Sequence, residues 1–171
     1  MIKNYLILIF ITVIFNSAVY SAGTKSPSSG VKSDGREDLS HLAGKTSNFK
    51  KGYDAVKQAK KYAKKGKVDK AKKRFNDAIE FFTLANEESV NDPDILNYLG
   101  YSFRKIGDFA MAEIYYEQGL EINAQHIGLN EYLGELYVET NRIDKAKEIL
   151  KVLKDCKCDE YEELKDLISK Y

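Results

Sequence analysis

At 171 residues, with 43% of them hydrophobic and 31% charged, the chain has the balance of a soluble globular protein and room for one compact domain plus accessory segments, not more. Only two prolines occur, which suits a mostly helical chain. The net charge of +1 hides a division: thirteen Lys or Arg face two acids between Lys45 and Arg74, whereas ten face twenty-one from Phe75 to Tyr171, a separation that bears on association more than on fold.

Residues 1–22 are expected to be a secretory signal peptide. Lys3 supplies a positive start, Tyr5 to Phe15 is apolar except for Thr12, and the small residues Ser17, Ala18, Ser21, Ala22 and Gly23 follow. The apolar run is shorter than the roughly 20 residues a spanning helix needs. The region around the cleavage site holds no cysteine for a lipoprotein anchor. The mature protein is therefore expected to be exported, periplasmic or secreted, without a membrane span. Residues 23–45, rich in Ser, Gly, Lys and Asp, read as a flexible linker, because so little apolar surface cannot offset the entropy of ordering. His41 lies in it with no partner of metal-ligand type nearby in the sequence.

From Phe49 onward apolar residues recur at helical spacing, punctuated by Gly or Asn. The pattern predicts helices near 49–65, 68–89, 93–106, 109–122, 126–140, 143–155 and 159–170. Leu99-Gly100 recurs as Leu133-Gly134, Phe103 as Tyr137, Gly107-Asp108 as Asn141-Arg142 and Ala112 as Ala146, each thirty-four residues on. The glycines are expected where two helices cross closely, Ala112 and Ala146 face that crossing, and the aromatic residues at 103, 116 and 137 fill the space between pairs. A weaker upstream copy runs through Ala59, Tyr62, Gly66, Ala71, Phe75 and Ala78, with Ala59 in the place of the glycine. Ala71 to Ala112 is forty-one residues, seven more than the period. Seven residues are close to two helical turns, so the second helix of the first pair should be longer by that much.

These residues and this period resemble the tetratricopeptide repeat family. The resemblance implies an all-α, right-handed solenoid of antiparallel helix pairs over residues 46–171, with repeats near 52–92, 93–126 and 127–158. Tyr161, Leu164, Leu167, Ile168 and Tyr171 then make 159–170 a capping helix over the last open face. Asn130 and Gln58 stand where the family usually has apolar residues.

The resemblance also implies a curved trough lined by the first helix of each pair. Its inward positions are Tyr53, Val56, Lys60 and Lys64, then Asp94, Asn97, Tyr101, Arg104 and Lys105, then Glu131, Glu135, Val138 and Glu139. Such troughs bind a protein or peptide segment. The family's best-known peptide clamp grips a C-terminal carboxylate with Lys, Asn and Arg, but Val56, Gly128 and Tyr132 stand at several of those places, so that activity is not expected.

No catalytic constellation is legible, and no cofactor or metal is expected. His41 and His126 sit in a linker and a turn, and phosphate-binding glycine loops and paired-histidine motifs are absent. Glu131, Glu135 and Glu139, four residues apart, read more readily as a solvated helix face than as a metal site. Cys156 and Cys158 admit three readings: a local disulfide staple before the last helix, free thiols, or a redox or metal role. Some exported bacterial repeat proteins are similar here, with two more widely spaced cysteines followed by acids, a Tyr and a Leu. The lysine-rich stretch from Lys57 to Lys67 could suit nucleic acid, but export and the need for a soluble cover on an array's open end argue against it. Two function classes follow: an interaction module that docks a segment of another protein, or an assembly part that self-associates through its basic and acidic ends.

Overall fold

The computed structural model describes residues 42–171. The expected signal segment, His41 and all of the tether before Leu42 lie outside the described residues. Seven helices follow in order: α1 (Ser47–Lys64), α2 (Val68–Glu88), α3 (Pro93–Ile106), α4 (Phe109–Ile122), α5 (Ile127–Glu139), α6 (Ile143–Leu153) and α7 (Asp159–Ile168). Among the described residues there is no strand, and every helix end falls within two residues of its expected place. None of these helices is long and apolar enough to cross a membrane.

Local chemistry explains the boundaries. Thr46, Asp92, Asp108 and His126 each cap a helix by accepting a hydrogen bond from a backbone N–H of the first turn, which would otherwise lack a partner. Pro93 follows Asp92 at the start of α3, where its missing N–H costs nothing. Gly107 leaves α3 at φ 95°, and Asn141, thirty-four residues on, makes the same left-handed turn at φ 58°. Asn tolerates that conformation better than most side-chain-bearing residues, so the repeat keeps its turn although the glycine is gone.

Consecutive helices pack as antiparallel pairs, α1 with α2, α3 with α4 and α5 with α6, while α7 lies against both α5 and α6. The first helices also touch along one side, α1 with α3 and α3 with α5. This is the expected all-α solenoid of helix pairs. Its core is two joined clusters: Phe49, Tyr53, Phe75, Phe82 and Leu99 centre the first, and Tyr116, Leu129, Leu136, Leu153 and Leu164 the second, with Phe103 and Tyr132 packed against both.

The close crossings are where glycine matters. A Cβ on Gly100 would lie 2.4 Å from the ring of Tyr116, which is wholly buried. In the first pair the tight approach moves one heptad earlier than Ala59: a Cβ on Gly52 would meet the Phe82 ring at 2.9 Å. Helix α2 has 21 residues against 14 in α4, so the two additional turns give Gly52 its partner. Gly134 departs from expectation. Its open space is taken by Leu164 of α7, 2.4 Å from where a Cβ would be, and not by the second helix of its own pair. The aromatic assignments also shift: Phe103 stacks on Tyr115 within its own pair (centroids 5.4 Å), and Tyr116 fills the hollow at Gly100.

Two residues assigned to the linker belong to the fold. Leu42 packs against the first core cluster, and Lys45 binds Asp92 at 2.5 Å and Asp94 at 2.8 Å.

Candidate binding trough

Helices α1, α3 and α5 bring one charged and aromatic cluster together on the side they share. Tyr101 is its hub. Lys60 Nζ lies 4.9 Å and Lys105 Nζ 5.3 Å from its ring centre, and Arg104 Cζ 5.8 Å away. Behind it stands Phe75, edge-on at 5.9 Å, and beside it Tyr132 at 5.1 Å. Each cation faces the negative face of a ring, a favourable arrangement that strengthens as water is excluded. Burial pushes the Tyr101 hydroxyl up to about 12. Burial and the Arg104 charge together lower the pKa of Lys105.

Arg104 ties the second repeat to the third. Its side chain is 1% exposed, and it donates to Glu135 and, at 3.1 Å, to Glu139. The guanidinium also lies 5.5 Å from the Tyr132 ring centre. Although burial opposes its charge, Tyr116 and the two carboxylates outweigh that cost and raise its pKa. Arg104 Nε and the Tyr116 hydroxyl lack a well-formed hydrogen bond.

A second polar knot sits where α3 and α5 begin. Asp94 accepts from Lys45 and faces Nε2 of His126 at 3.0 Å, while Nδ1 of His126 caps α5. Burial works to raise the Asp94 pKa, but the hydrogen bonds from His126 and Lys45 outweigh it and hold it at about 2. Asn130, at a usually apolar family position, is buried and donates to the carbonyls of Ala124 and His126. It secures the turn before α5.

The expected inward residues therefore divide. Lys60, Tyr101, Arg104, Lys105 and Glu135 converge. Lys60, Lys64 and Lys105 are exposed, with Lys64 in the last turn of α1. Tyr53, Asn97, Tyr101, Arg104 and Glu131 are buried. Tyr53 packs edge-on against Tyr98, and Asn97 lies against Gly128, where a Cβ would come within 2.9 Å of its amide nitrogen. Tyr98 is not among the expected inward residues and Tyr132 is expected only as a departure from the peptide clamp, although the two are thirty-four residues apart and so share one repeat position.

The solvated face expected for Glu131, Glu135 and Glu139 is not what the chain forms. Glu131 is 6% exposed, and Glu135 and Glu139 hold Arg104. The helical period of four puts the three on one side, but α3 and α7 cover much of that side, leaving only Glu139 exposed. Among the described residues no group of three or more His, Cys, Asp or Glu is placed to hold a metal ion.

Burial, followed by the neighbouring charges of Glu135, Glu160 and Glu163, pushes Glu131 up to about 8. A carboxyl raised in the fold is protonated there while the unfolded chain is ionised, so stability falls as pH rises from about 4.5 to about 8. Glu131→Gln, which keeps the neutral shape, should flatten that decline and add on the order of 1–3 kcal/mol at pH 8. Melting curves from pH 5 to 9 check it, and parallel curves for the two proteins would refute the assignment.

Residues 103–171 match the family described as tetratricopeptide repeat. No curated protein sequence matches the chain. Among solved structures, the tetratricopeptide domain of Sgt2 from Aspergillus fumigatus is 14% identical, with TM-score 0.55 over 74% of this chain and 80% of that one. The TPR2B domain of yeast Sti1, in its Hsp70 complex, is 14% identical, with TM-score 0.54 over 70% of this chain and 94% of that one. SycD of Yersinia enterocolitica, a type III secretion translocator chaperone, is 17% identical, with TM-score 0.51 over 71% and 88%. Such identities speak to fold. Residues 103–171 thus carry the tetratricopeptide repeat match, and the helix-pair architecture is the fold of tetratricopeptide repeat domains.

Proposed function

We propose that this chain is a non-catalytic interaction module of an exported, bacterial protein, docking a peptide or protein segment in the trough formed by α1, α3 and α5. The observation that carries the reading is the gathering of exposed Lys60 and Lys105 over Tyr101, with Arg104 held beneath. Cations fixed over a buried aromatic ring present charge to a segment at a set position. Two structural relatives are solved with peptides: the Sti1 domain with its Hsp70 partner, and the first tetratricopeptide domain of RPAP3 with the HSP90 peptide SRMEEVD. The apolar run from Tyr5 to Phe15 behind Lys3 supports export.

An array of acidic, basic and apolar decamers, probed with the chain from Leu42 onward, tests this reading. Acidic spots should be retained by the wild type and lost with Lys60→Glu or Lys105→Glu, and an array with no retained spot would overturn it. For a retained peptide, reversing Lys60, Lys61 and Lys64 to Glu should slow association about tenfold or more at low salt, because complementary charges mostly steer encounter. The difference should shrink as salt screens it, over about 8 Å at physiological ionic strength. Stopped-flow association across a salt series measures this, and an unchanged on-rate assigns the lysines to solubility alone.

The charge division between the ends of the array favours a second reading, head-to-tail self-association. A molecular mass that falls between low and high salt would support it.

A further inference from the structure

The turn that sets the capping helix in place lacks the usual means of holding itself. Cys156 and Cys158 are joined, with Cα atoms 5.2 Å apart, and the bridge encloses Lys157 alone. Lys157 sits at φ 52°, the left-handed region. Asn91 and Asn141 are the other residues besides glycine in that region among those described, and Asn accepts it more readily than Lys. Cys158 occupies the N-cap of α7 without offering a side-chain cap, as do Lys67 and Arg142 at α2 and α6, whose preceding turns however hold Gly66 and Asn141 in the left-handed region. With no glycine, no asparagine and no cap, the covalent bridge is what enforces the turn.

Helix α7 is held to the array by an apolar face in which Tyr161 and Leu167 flank Leu164 and Ile168. Leu164 fills the hollow at Gly134, and Ile168 is buried with it. On its polar side Glu160 and Glu163 come near Glu131 of α5, and Glu163 shares a hydrogen bond with its carboxyl, a contact that holds while Glu131 is protonated and turns to repulsion as it ionises. Lys165 of α7 pairs with Glu162 on its own helix, and so does not neutralise that contact.

We propose that the Cys156–Cys158 disulfide is a redox latch on the capping helix: dithiol reductants open it, and α7 then releases from α5 and uncovers the hollow at Gly134. One thiolate of the reductant attacks a cysteine sulfur, forming a mixed disulfide and expelling the other cysteine as a thiolate. The reductant's second thiol attacks in turn, so the chain gains two thiols and the reductant becomes a disulfide, with two electrons and two protons transferred. Both cysteines are half-buried at the surface end of α6, within reach of such a partner. The latch does not depend on the trough reading, since α7 lies against α5 and α6 and not α1.

Hydrogen exchange on the chain from Leu42 onward, oxidised and then treated with dithiothreitol, decides the matter. Amides of α7 should exchange about tenfold faster after reduction, the scale expected on losing a three-residue cross-link, while those of α3 are unchanged. Cys156→Ser with Cys158→Ser should behave like the reduced chain and ignore the reductant. Lys157→Gly, in which the left-handed turn needs no enforcement, should keep α7 protected even when reduced. Equal protection of α7 in the oxidised and reduced chains would overturn the proposal, as would loosening of all helices together or a bond that dithiothreitol cleaves only in denaturant.

Discussion

Gly100→Leu is expected to lower stability by about 3 kcal/mol, the upper end of what overpacking a close contact usually costs. A shift of that size corresponds to a melting temperature lower by roughly 10 °C in a domain of this size. The physical case is direct. A Cβ alone would stand 2.4 and 2.5 Å from two ring carbons of Tyr116, so the ring or the helix must move. Tyr116 has nowhere to go: it is wholly buried, beside the Arg104 guanidinium on one side and 6.5 Å from the Tyr132 ring. Helices α3 and α4 would have to separate, loosening the joint between the two core clusters. Thermal unfolding followed by circular dichroism measures the loss. Combining Gly100→Ala with Tyr116→Leu should cost less than the sum of the two single changes, because each relieves the other. A wild-type melting temperature for Gly100→Leu would show that the helices do not cross there.

Arg104→Ala is expected to cost about 3 kcal/mol or more, since truncating one partner of a buried ion pair leaves the other unpaired. Three losses coincide. Glu135 and Glu139 lose their donor, Tyr132 loses a facing cation, and a hollow opens beneath Tyr101. Without that cation, Glu131, Glu135 and Glu139 form an uncompensated column of carboxylates along α5. Repulsion among carboxylates grows with their ionisation, so the mutant's deficit should be larger at pH 8 than at pH 5. Arg104→Met should be milder in packing yet share the pH dependence. Denaturant unfolding at pH 5 and pH 8 tests both points. A deficit below about 1 kcal/mol, equal at the two pH values, would show that Arg104 is not the joint between the second and third repeats.

The helices and their pairing were legible because each rests on information local to the chain. Asp92-Pro93 starts a helix by capping chemistry, Gly107 and Asn141 end one by their tolerance of positive φ, and the thirty-four-residue recurrence of Leu99-Gly100 marks the repeat. The seven-residue surplus between Ala71 and Ala112 likewise translated into the 21-residue α2. The family's inward positions brought Lys60, Tyr101, Arg104, Lys105 and Glu135 to one place.

What the residues alone did not disclose is which charged groups meet water. Period four assigns Glu131, Glu135 and Glu139 to one side of a helix, but only the packing of α3 and α7 against that side makes Glu131 a buried acid and Arg104 its neighbours' counterion. His126 and Asp94 are thirty-two residues apart, and no local rule joins them. Gly134 shows the same limit: its sequence context is that of Gly100, yet its hollow receives Leu164 from α7 instead of a side chain of its own pair. Periodicity and capping are set by neighbours along the chain, so the helices, their pairing and the repeat could be read from the residues. Burial and charge pairing depend on distances across helices, which the packing of one helix on another sets.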